Sequence, residues 1–201
     1  MASYKSSRII PIALILIITA IAIAALVSLA RVIFFSEGTS SGPTNVDISR
    51  EALLDTSADR SVRMIVRGSI VADESFRSYQ ITVSPSTRNL TTYTGYLDNQ
   101  IDSINLGNNI PAYEQFVYAL DKADLSKGTE LSGSQNDLRG VCATGKVYEF
   151  QILKADKSIK SLWTSTCKGS RGSLDASVSQ LTDLFTSQIP NAKATINKIK
   201  L

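Results

Sequence analysis

The sequence predicts an α+β fold behind a transmembrane helix: a mostly antiparallel sheet of about five strands, with two helices packed on one face. Three observations lead to this prediction. Residues 9–35 form a long apolar run, which is typical of a membrane-spanning helix. Several later segments alternate apolar and polar residues, which indicates strands. Two other segments carry an apolar residue every three or four positions, which indicates helices. Their order is typical of a sheet covered by helices on one side.

The apolar run is long enough to cross a bilayer. Residues 9–30 contain no charge, and a helix of this length spans about 33 Å, against a hydrocarbon core of about 30 Å. Lys5 and Arg8 precede the run, and positive charge favours the cytoplasmic side. We therefore expect residues 1–8 in the cytoplasm and the chain after residue 35 outside. The alternative is a signal peptide cleaved after Ala30, although the run is longer than the core of a usual signal peptide.

Three small residues, Ala20, Ala24 and Ser28, recur every four positions along this anchor. Such a stripe lets two membrane helices approach closely, so it is a candidate packing stripe for contact with another membrane protein. Alanine is frequent throughout the run, and this accounts for the same pattern without any partner. The surrounding Ile, Leu and Val side chains suit contact with the lipid bilayer.

The chain beyond the anchor is electrically balanced. Of its 201 residues, 21 are Lys or Arg and 18 are Asp or Glu. Lys5, Arg8 and Arg31 lie in the first 35 positions, which carry no acid, so 18 basic residues balance the 18 acids that follow. The net charge of +3 therefore belongs to the flanks of the anchor. It gives no reason to expect nucleic acid as a partner.

Two regions follow the anchor. Residues 36–60 are polar and contain a Gly-Thr-Ser-Ser-Gly-Pro stretch, so we predict a flexible linker with a short helix over residues 48–54. Residues 61–201 are predicted to form one extracytoplasmic α+β domain. Period-two alternation predicts its strands at residues 61–71, 78–83, 89–96, 146–154 and 159–166.

Two helices are predicted in this domain. One begins at Pro111, which suits a first helical position, and ends near Ala123. The other begins after an N-cap at Ser173 and ends or kinks at Pro190. Its apolar stripe is Leu174, Val178, Leu181 and Phe185. Residues 97–109 are predicted to be loop or irregular helix, and residues 127–140 loop. The aromatic side chains, Trp163 included, are expected between sheet and helices.

The two cysteines, Cys142 and Cys167, are expected to form a disulfide. An even number of cysteines outside the cytoplasm is typical of paired thiols. Cys142 precedes one predicted strand and Cys167 ends the next, so pairing of these strands brings the two residues together. The chain contains no histidine, so it lacks the commonest general base and zinc ligand. No metal site and no cofactor are predicted.

A cysteine nucleophile is the alternative to the disulfide. The segment Leu-Trp-Thr-Ser-Thr-Cys that ends at Cys167, followed by Arg171, is similar to the sortase signature, and sortases share the membrane anchor and chain length. That resemblance implies a thiolate activated by histidine. Because this chain has no histidine, and because Arg171 lies only four residues further on, the sequence favours the disulfide.

Two groups of polar residues are candidate binding sites. A possible anion-binding turn precedes the second helix, where backbone N–H groups and two cations could hold an anion. It consists of Lys168, Gly169, Ser170, Arg171, Gly172 and Ser173. A basic face for an anionic envelope polymer is predicted around the first strands. It consists of Arg63, Arg67, Arg77 and Arg88. A tight turn and a solvated sheet face are the simpler alternatives, because the domain is neutral.

The block 112–190 contains AYEQFVYALDKADLSKG, GVCATGKVYEF and LWTSTCKGSRGSLDASVSQLTDLFTSQIP. It resembles uncharacterised single-anchor extracytoplasmic proteins of reduced-genome candidate-phylum bacteria. This resemblance implies a bacterial cell-surface setting and no particular activity. The expected function is a non-enzymatic, membrane-anchored binding or structural module of the cell envelope, with envelope polymer or another membrane protein as partner. The alternatives are a subunit of a membrane complex and a surface enzyme that works without histidine.

Overall fold

A computed structural model describes residues 48–170 and 172–201, which lie in a compact unit spanning residues 46–201. The helices are α1 (Ile48–Leu54), α2 (Ile110–Lys122), α3 (Val178–Ser187) and α4 (Ala192–Lys198). The strands are β1 (Arg60–Arg67), β2 (Arg77–Val83), β3 (Thr87–Thr94), β4 (Asn99–Gly107), β5 (Val147–Lys154) and β6 (Lys157–Ser165). Short 3₁₀ turns lie at Asp73–Ser75 and Gly133–Asn136.

The six strands form one sheet in the order β4-β3-β2-β1-β5-β6, and every neighbouring pair is antiparallel. The predicted α+β class and antiparallel sheet are therefore confirmed. Both predicted hairpins are present as β2–β3 and β5–β6. The second hairpin turns at Ala155 and Asp156, which both have positive φ, the conformation that two-residue hairpin turns require.

The prediction that residues 97–109 are loop or irregular helix is wrong, because Asn99–Gly107 forms β4. This strand pairs with β3 from Thr87–Gly107 to Thr94–Asn99, with a bulge beside Thr92 and Tyr93. Its sequence, NQIDSINLG, is rich in Asn, Asp, Ser and Gly, which are depleted in strands. An edge strand tolerates such a composition because most of its side chains remain in solvent.

All four helices contribute to a core on one face of the sheet. β1 supplies Val62, Met64 and Val66 to this core, and the face continues through alternate residues of β2, β3 and β5. The helices supply Leu53, Phe116, Val117, Leu120, Leu181, Phe185 and Ala192. Phe116 and Phe185 meet edge to face at 5.3 Å between ring centroids, a favoured arrangement for aromatic pairs.

The domain includes α1, which the sequence places in the linker. The helix itself is confirmed at Ile48–Leu54, but its Leu53 side chain is 0% exposed and belongs to the core. Arg50 also donates from Nε to Asp121 of α2 at 2.7 Å. The compact unit at residues 46–201 therefore includes α1, whereas the sequence predicts a domain that begins at residue 61.

The last two helices differ in part from the prediction. Helix α3 begins at Val178 with Ser177 as N-cap, so the prediction of an N-cap at Ser173 is wrong. Leu174 lies in an isolated bridge to Gly128 instead of on the helical stripe. A further short helix, α4, follows at residues 192–198. In the described ranges no helix is both long and apolar enough to cross a membrane, and the predicted anchor at residues 9–35 lies outside those ranges.

The opposite face of the sheet is polar in its middle and covered at one end. Trp163 pairs with Glu149 and so points to this face, which corrects its predicted place between sheet and helices. A second apolar cluster forms there under the segment that precedes β5. Its buried members are Cys142, Val147 and Trp163, against which Leu131, Leu138, Val141 and Cys167 pack.

Candidate functional site

The predicted disulfide between Cys142 and Cys167 is present, with an S–S distance of 2.11 Å and a Cα–Cα distance of 5.4 Å. It joins the segment before β5 to the end of β6, so the strand ends meet as the sequence predicts. The bond lies beside Gly145. A Cβ atom added at Gly145 would lie only 2.9 Å from Cys142 Sγ, which leaves no room for a side chain there. It ties the 131–142 segment against Trp163 and Val147.

A pocket of about 410 Å³ lies beside this disulfide, and we call it the end pocket. It opens where β1 ends and β5 begins, between the β1–β2 connection, the β3–β4 turn and the segment before β5. It is lined by Arg67, Gly68, Ile70, Phe76, Tyr96, Asp98, Asp137, Leu138, Arg139, Gly140, Cys142 and Val147. The volume is within the range of small-ligand sites.

One wall of the end pocket is an aromatic pair. The Phe76 and Tyr96 rings stack with centroids 4.2 Å apart and planes inclined by 19°. The Tyr96 hydroxyl donates to Val71 O at 2.7 Å and accepts from Val71 N at 3.1 Å. The Tyr96 backbone N–H donates to Asp73 Oδ1 at 2.8 Å. Although Tyr96 is 48% exposed, its ring is therefore held at both ends.

The sheet floor of the end pocket carries a fixed arginine. Arg67 Nη1 donates to Glu149 Oε2 at 2.7 Å, and Glu149 is itself buried. Glu149 Oε1 accepts from Gln151 Nε2 at 2.6 Å and from Ser161 Oγ at 3.0 Å. Because the carboxylate is held by three donors, the guanidinium of Arg67 is oriented before any ligand arrives.

The rim of the end pocket carries a second charge pair. Arg139 Nε donates to Asp137 Oδ1 and Oδ2, each at 2.9 Å. These side-chain hydrogen bonds, with one from the Arg139 backbone, lower the pKa of Asp137 to about 2. Asp98, in the β3–β4 turn, also lines the end pocket. The described lining therefore holds two arginines and two aspartates, so its formal charges cancel.

The structure does not bring the four arginines of the predicted basic face together. Register places Arg63 and Arg67 on the polar sheet face, opposite Gln151 and Val147 of β5. Arg77 and Arg88 share the other face, in phase with Tyr79 and Leu90. Strand register sets this division. Arg67 pairs with Ser78, so Arg77 lies one residue out of phase with it. Arg63 pairs with Thr82, whereas Arg88 pairs with the next residue, Val83. Successive side chains along a strand point to opposite faces.

These arginines also have partners in the protein. Arg63 donates to Thr82 Oγ1 at 3.2 Å. Arg77 donates to the carbonyl oxygens of Glu74 and Phe76. Arg88 donates to the carbonyl oxygens of Gly107 and Gln188 and so links β3 to the end of α3. The predicted basic face is therefore wrong as a continuous surface, and only Arg67 enters the end pocket.

The predicted anion-binding turn is not at a helix start. The backbone N–H groups of Ser173 and Leu174 both donate to Trp163 O, at 2.9 and 3.0 Å, and Trp163 N donates to Ser173 Oγ. These donors extend the edge of β6 instead of facing an anion. Lys168 and Gly169 are exposed, Ser170 Oγ donates to Val141 O, and Gly172 packs on Trp163.

Four predicted site residues lie outside the described residues. They are Arg171 of the turn and the stripe formed by Ala20, Ala24 and Ser28. Within the described ranges, no group of three or more acidic or cysteine side chains is arranged to hold a metal ion.

Two buried tyrosines, Tyr79 and Tyr113, and the partly buried Tyr148 bear on the hypothesis of a histidine-free enzyme. Burial raises the pKa of Tyr79, Tyr113 and Tyr148 above the ordinary value of 10. Their hydroxyls therefore stay protonated at neutral pH. A tyrosine that served as a general base would need the opposite shift.

Most residues of the end pocket are absent from the sites that the sequence predicts. Phe76, Tyr96, Asp98, Asp137 and Arg139 come from three connections that are far apart in the chain. One signal does lie in the sequence, because Tyr96 and Leu97 follow Gly95 in a turn, where polar residues are usual. No protein-family model matches the chain, and no curated protein is significantly similar to it.

Proposed function

We propose that this chain is a membrane-anchored, extracytoplasmic binding module of a bacterial cell envelope. In this proposal residues 9–35 hold the chain in the lipid bilayer, and the folded domain holds an envelope polymer at the end pocket. The observation that carries the proposal is the end pocket itself, a cavity of about 410 Å³ with a fixed aromatic wall and a fixed arginine beside the disulfide. The bacterial setting comes from the resemblance of residues 112–190.

The disulfide supports an extracytoplasmic domain. Structural disulfides persist in oxidising compartments and are rare in the cytosol of most organisms. The Cys142–Cys167 bond closes the segment that forms one side of the end pocket. A reducing compartment would favour two thiols and release this side. The position of the bond thus links the proposed location to the proposed site.

The packing of the domain supports binding at its end. The layer between the sheet and the helices is filled by buried side chains, among them Met64, Leu120 and Phe185. The end pocket, by contrast, combines apolar, aromatic and charged groups around an opening. Sites for ligands generally have this mixture of an apolar lining and a few placed polar groups.

Site-specific photocrosslinking in cells tests the proposal. A photoreactive phenylalanine analogue replaces Leu97, which is 86% exposed beside the end pocket, in the full chain. The matched control replaces Tyr118, which is 46% exposed on α2. We expect adducts with an envelope polymer from position 97 only. Equal labelling from both positions contradicts the proposal, and adducts with a protein alone would identify the chain as a subunit of a membrane complex.

The proposed orientation is tested separately. A protease added to intact cells is expected to cleave the domain, while a cytosolic marker protein remains whole. A domain that survives on intact cells but is cleaved after lysis would place it in the cytoplasm and contradict the proposal. A membrane-impermeant maleimide, added after reduction on intact cells, should label Cys142 and Cys167 in the same experiment.

A further inference from the structure

We propose that the ligand of the end pocket is an uncharged sugar unit of a polysaccharide. This inference rests on the proposed function and names the chemical class that the site takes. It replaces the anionic polymer that the sequence suggests, because the four arginines behind that expectation are divided between two faces of the sheet.

The aromatic wall carries the first part of the inference. A pyranose ring has one face of C–H groups, and such a face packs on a flat aromatic ring. Tyr96 is half exposed, stacked on Phe76 and fixed through its hydroxyl and its backbone. A ring held in this way loses little conformational freedom when a ligand packs on it. The half-exposed Tyr96 ring does not belong to the hydrophobic core of the domain.

The charges of the lining carry the second part. Arg67 and Arg139 are balanced by Asp98 and Asp137, and Glu149 lies behind Arg67. An anionic polymer would meet these carboxylates at the opening of the pocket. A sugar hydroxyl both donates and accepts hydrogen bonds, so it can donate to a carboxylate and accept from a neighbouring guanidinium. A lining that holds both acids and arginines beside an aromatic ring therefore suits an uncharged polyol.

The network under Arg67 carries the third part. One edge of its guanidinium is bound to Glu149, which Gln151 and Ser161 also hold. The remaining N–H groups of Arg67 can point into the pocket without reorganisation of the floor. Binding to groups that are already oriented avoids much of the entropy cost of ordering side chains. Arg67 would thus hold one hydroxyl pair while Tyr96 holds the ring.

Isothermal titration calorimetry tests the inference on the full chain, in a detergent without a sugar headgroup. The neutral probes are cellohexaose, maltohexaose and the hexamer of N-acetylglucosamine, and the acidic probe is hexagalacturonate. We expect binding of at least one neutral hexasaccharide, with affinity that changes little with salt. Binding of hexagalacturonate alone, weakened by added salt, would overturn the inference.

Three variants connect binding to the pocket. Tyr96→Ala is expected to weaken binding about tenfold, because it removes the stacking face. Tyr96→Phe keeps the ring and should stay within about threefold of the parent. Tyr118→Ala is the matched control, because Tyr118 has nearly the same exposure on α2, and its affinity should not change. Fluorescence of the single tryptophan, Trp163, reports whether each variant is folded. Unchanged affinity in a folded Tyr96→Ala variant overturns the inference.

The same variants separate this inference from the proposed function. Each full-length variant is mixed with isolated cell envelopes, and the retained fraction is measured. If no neutral hexasaccharide binds but Tyr96→Ala still lowers retention, the ligand class is wrong and the binding module stands. The photoreactive residue at position 97 is also combined with each variant. If Tyr96→Ala and Tyr118→Ala are both retained like the parent and give the same adducts from position 97, the proposed function and the inference both fail.

Discussion

At Gly172 the backbone has a φ of +73°, and a Cβ added there would collide with Trp163 O. The turn after the disulfide can therefore pass close to β6 only because residue 172 lacks a side chain. Gly169 has a φ of +92°, but a Cβ added at that position would have no atom within 4 Å. Gly172 is therefore favoured both by its positive φ and by the close contact with Trp163, whereas Gly169 is favoured by its positive φ alone.

We predict that Gly172→Ala destabilises the domain by about 3 kcal/mol, because a new methyl group must displace backbone. Gly169→Ala should cost about 1 kcal/mol, the strain of a positive φ alone. Urea unfolding of the full chain, followed by Trp163 fluorescence, measures both values. Equal costs for the two variants would show that the close approach to Trp163 O does not limit residue 172.

Asp55 connects α1 to β1 through a local hydrogen-bond network. Its Oδ1 atom accepts from Ser57 Oγ at 2.6 Å and from Ser57 N at 2.9 Å, and its Oδ2 atom accepts from Arg60 Nε at 2.8 Å. The two bonds from Ser57, and then the Arg60 guanidinium, lower the pKa of Asp55 below its ordinary value of 3.8. The folded state therefore favours the ionised carboxylate.

The lowered pKa of Asp55 predicts a pH-dependent contribution to stability. Ionised Asp55 stabilises the fold above its unfolded pKa, and this stabilisation is lost as the pH falls through the lower, folded pKa. Asp55→Asn should therefore cost about 1 kcal/mol at pH 7, the value of a typical hydrogen bond. The cost should shrink below about pH 4, which urea unfolding at several pH values measures. A cost independent of pH contradicts this assignment.

Single residues also show what the sequence can predict. Alternation in β1 correctly assigns Val62, Met64 and Val66 to one face, because period two is a local property. Sequence proximity does not assign Arg77 and Arg88 to a face with Arg63, because their phase depends on where each strand begins. The start of α3 is missed for a related reason. Leu174 continues the helical spacing, but its backbone is bound to Trp163 instead.

Among the elements, α1 shows how far a short segment can depend on tertiary packing. Its seven residues are too few to form a stable helix in isolation. The helix is held by Leu53 in the core and by the pair between Arg50 and Asp121. The polar composition of its surroundings is typical of a linker, so the sequence identifies the helix but not its place in the domain.

We predict that Leu53→Ala destabilises the domain by about 2–5 kcal/mol, the usual cost of a cavity at a fully buried leucine. Ile48→Ala is the control, because Ile48 lies on the same helix and is 75% exposed. It should change the free energy of unfolding by less than about 0.5 kcal/mol. Urea unfolding of both variants measures the difference. A small effect of Leu53→Ala would return residues 48–54 to the linker.

At the scale of the whole molecule, the disulfide joins parts of the chain that local structure leaves separate. Cys142 and Cys167 lie 25 positions apart and close a loop that contains the β5–β6 hairpin. Only Trp163, Val147 and a few partly buried side chains pack under the segment that Cys142 holds. The covalent bond therefore adds to the hydrogen bonds that hold this segment, among them the one from Ser170 Oγ to Val141 O.

We predict that replacing both cysteines by serine lowers the free energy of unfolding by about 3–4 kcal/mol in the chain-entropy model. The double variant leaves no free thiol, and the parent treated with reductant should match it. Because the 131–142 segment is then released, protease cleavage there should increase more than in α2. Unchanged stability and protease resistance would show that the apolar cluster alone holds this segment.

The end pocket is likewise formed only by the assembled domain, which explains why the sequence does not predict it. Its walls come from three connections, and each connection taken alone has the composition of a solvated turn. Tyr96 meets Phe76 only after β2 and β3 have paired, and Arg67 meets Arg139 only after β5 has joined β1. A site assembled by sheet topology has no local motif.

The two edge strands of the sheet, β4 and β6, differ in how their outward-facing backbone groups are bonded. Backbone groups of Trp163 on β6 are already bonded to Ser173 and Leu174, whereas no described strand lies beyond β4. On β4, the carboxylate of Asp102 accepts from the N–H of Ser103 and adds a negative charge at the margin. To pair with β6 at Trp163, an incoming strand would therefore have to displace the bonds with Ser173 and Leu174.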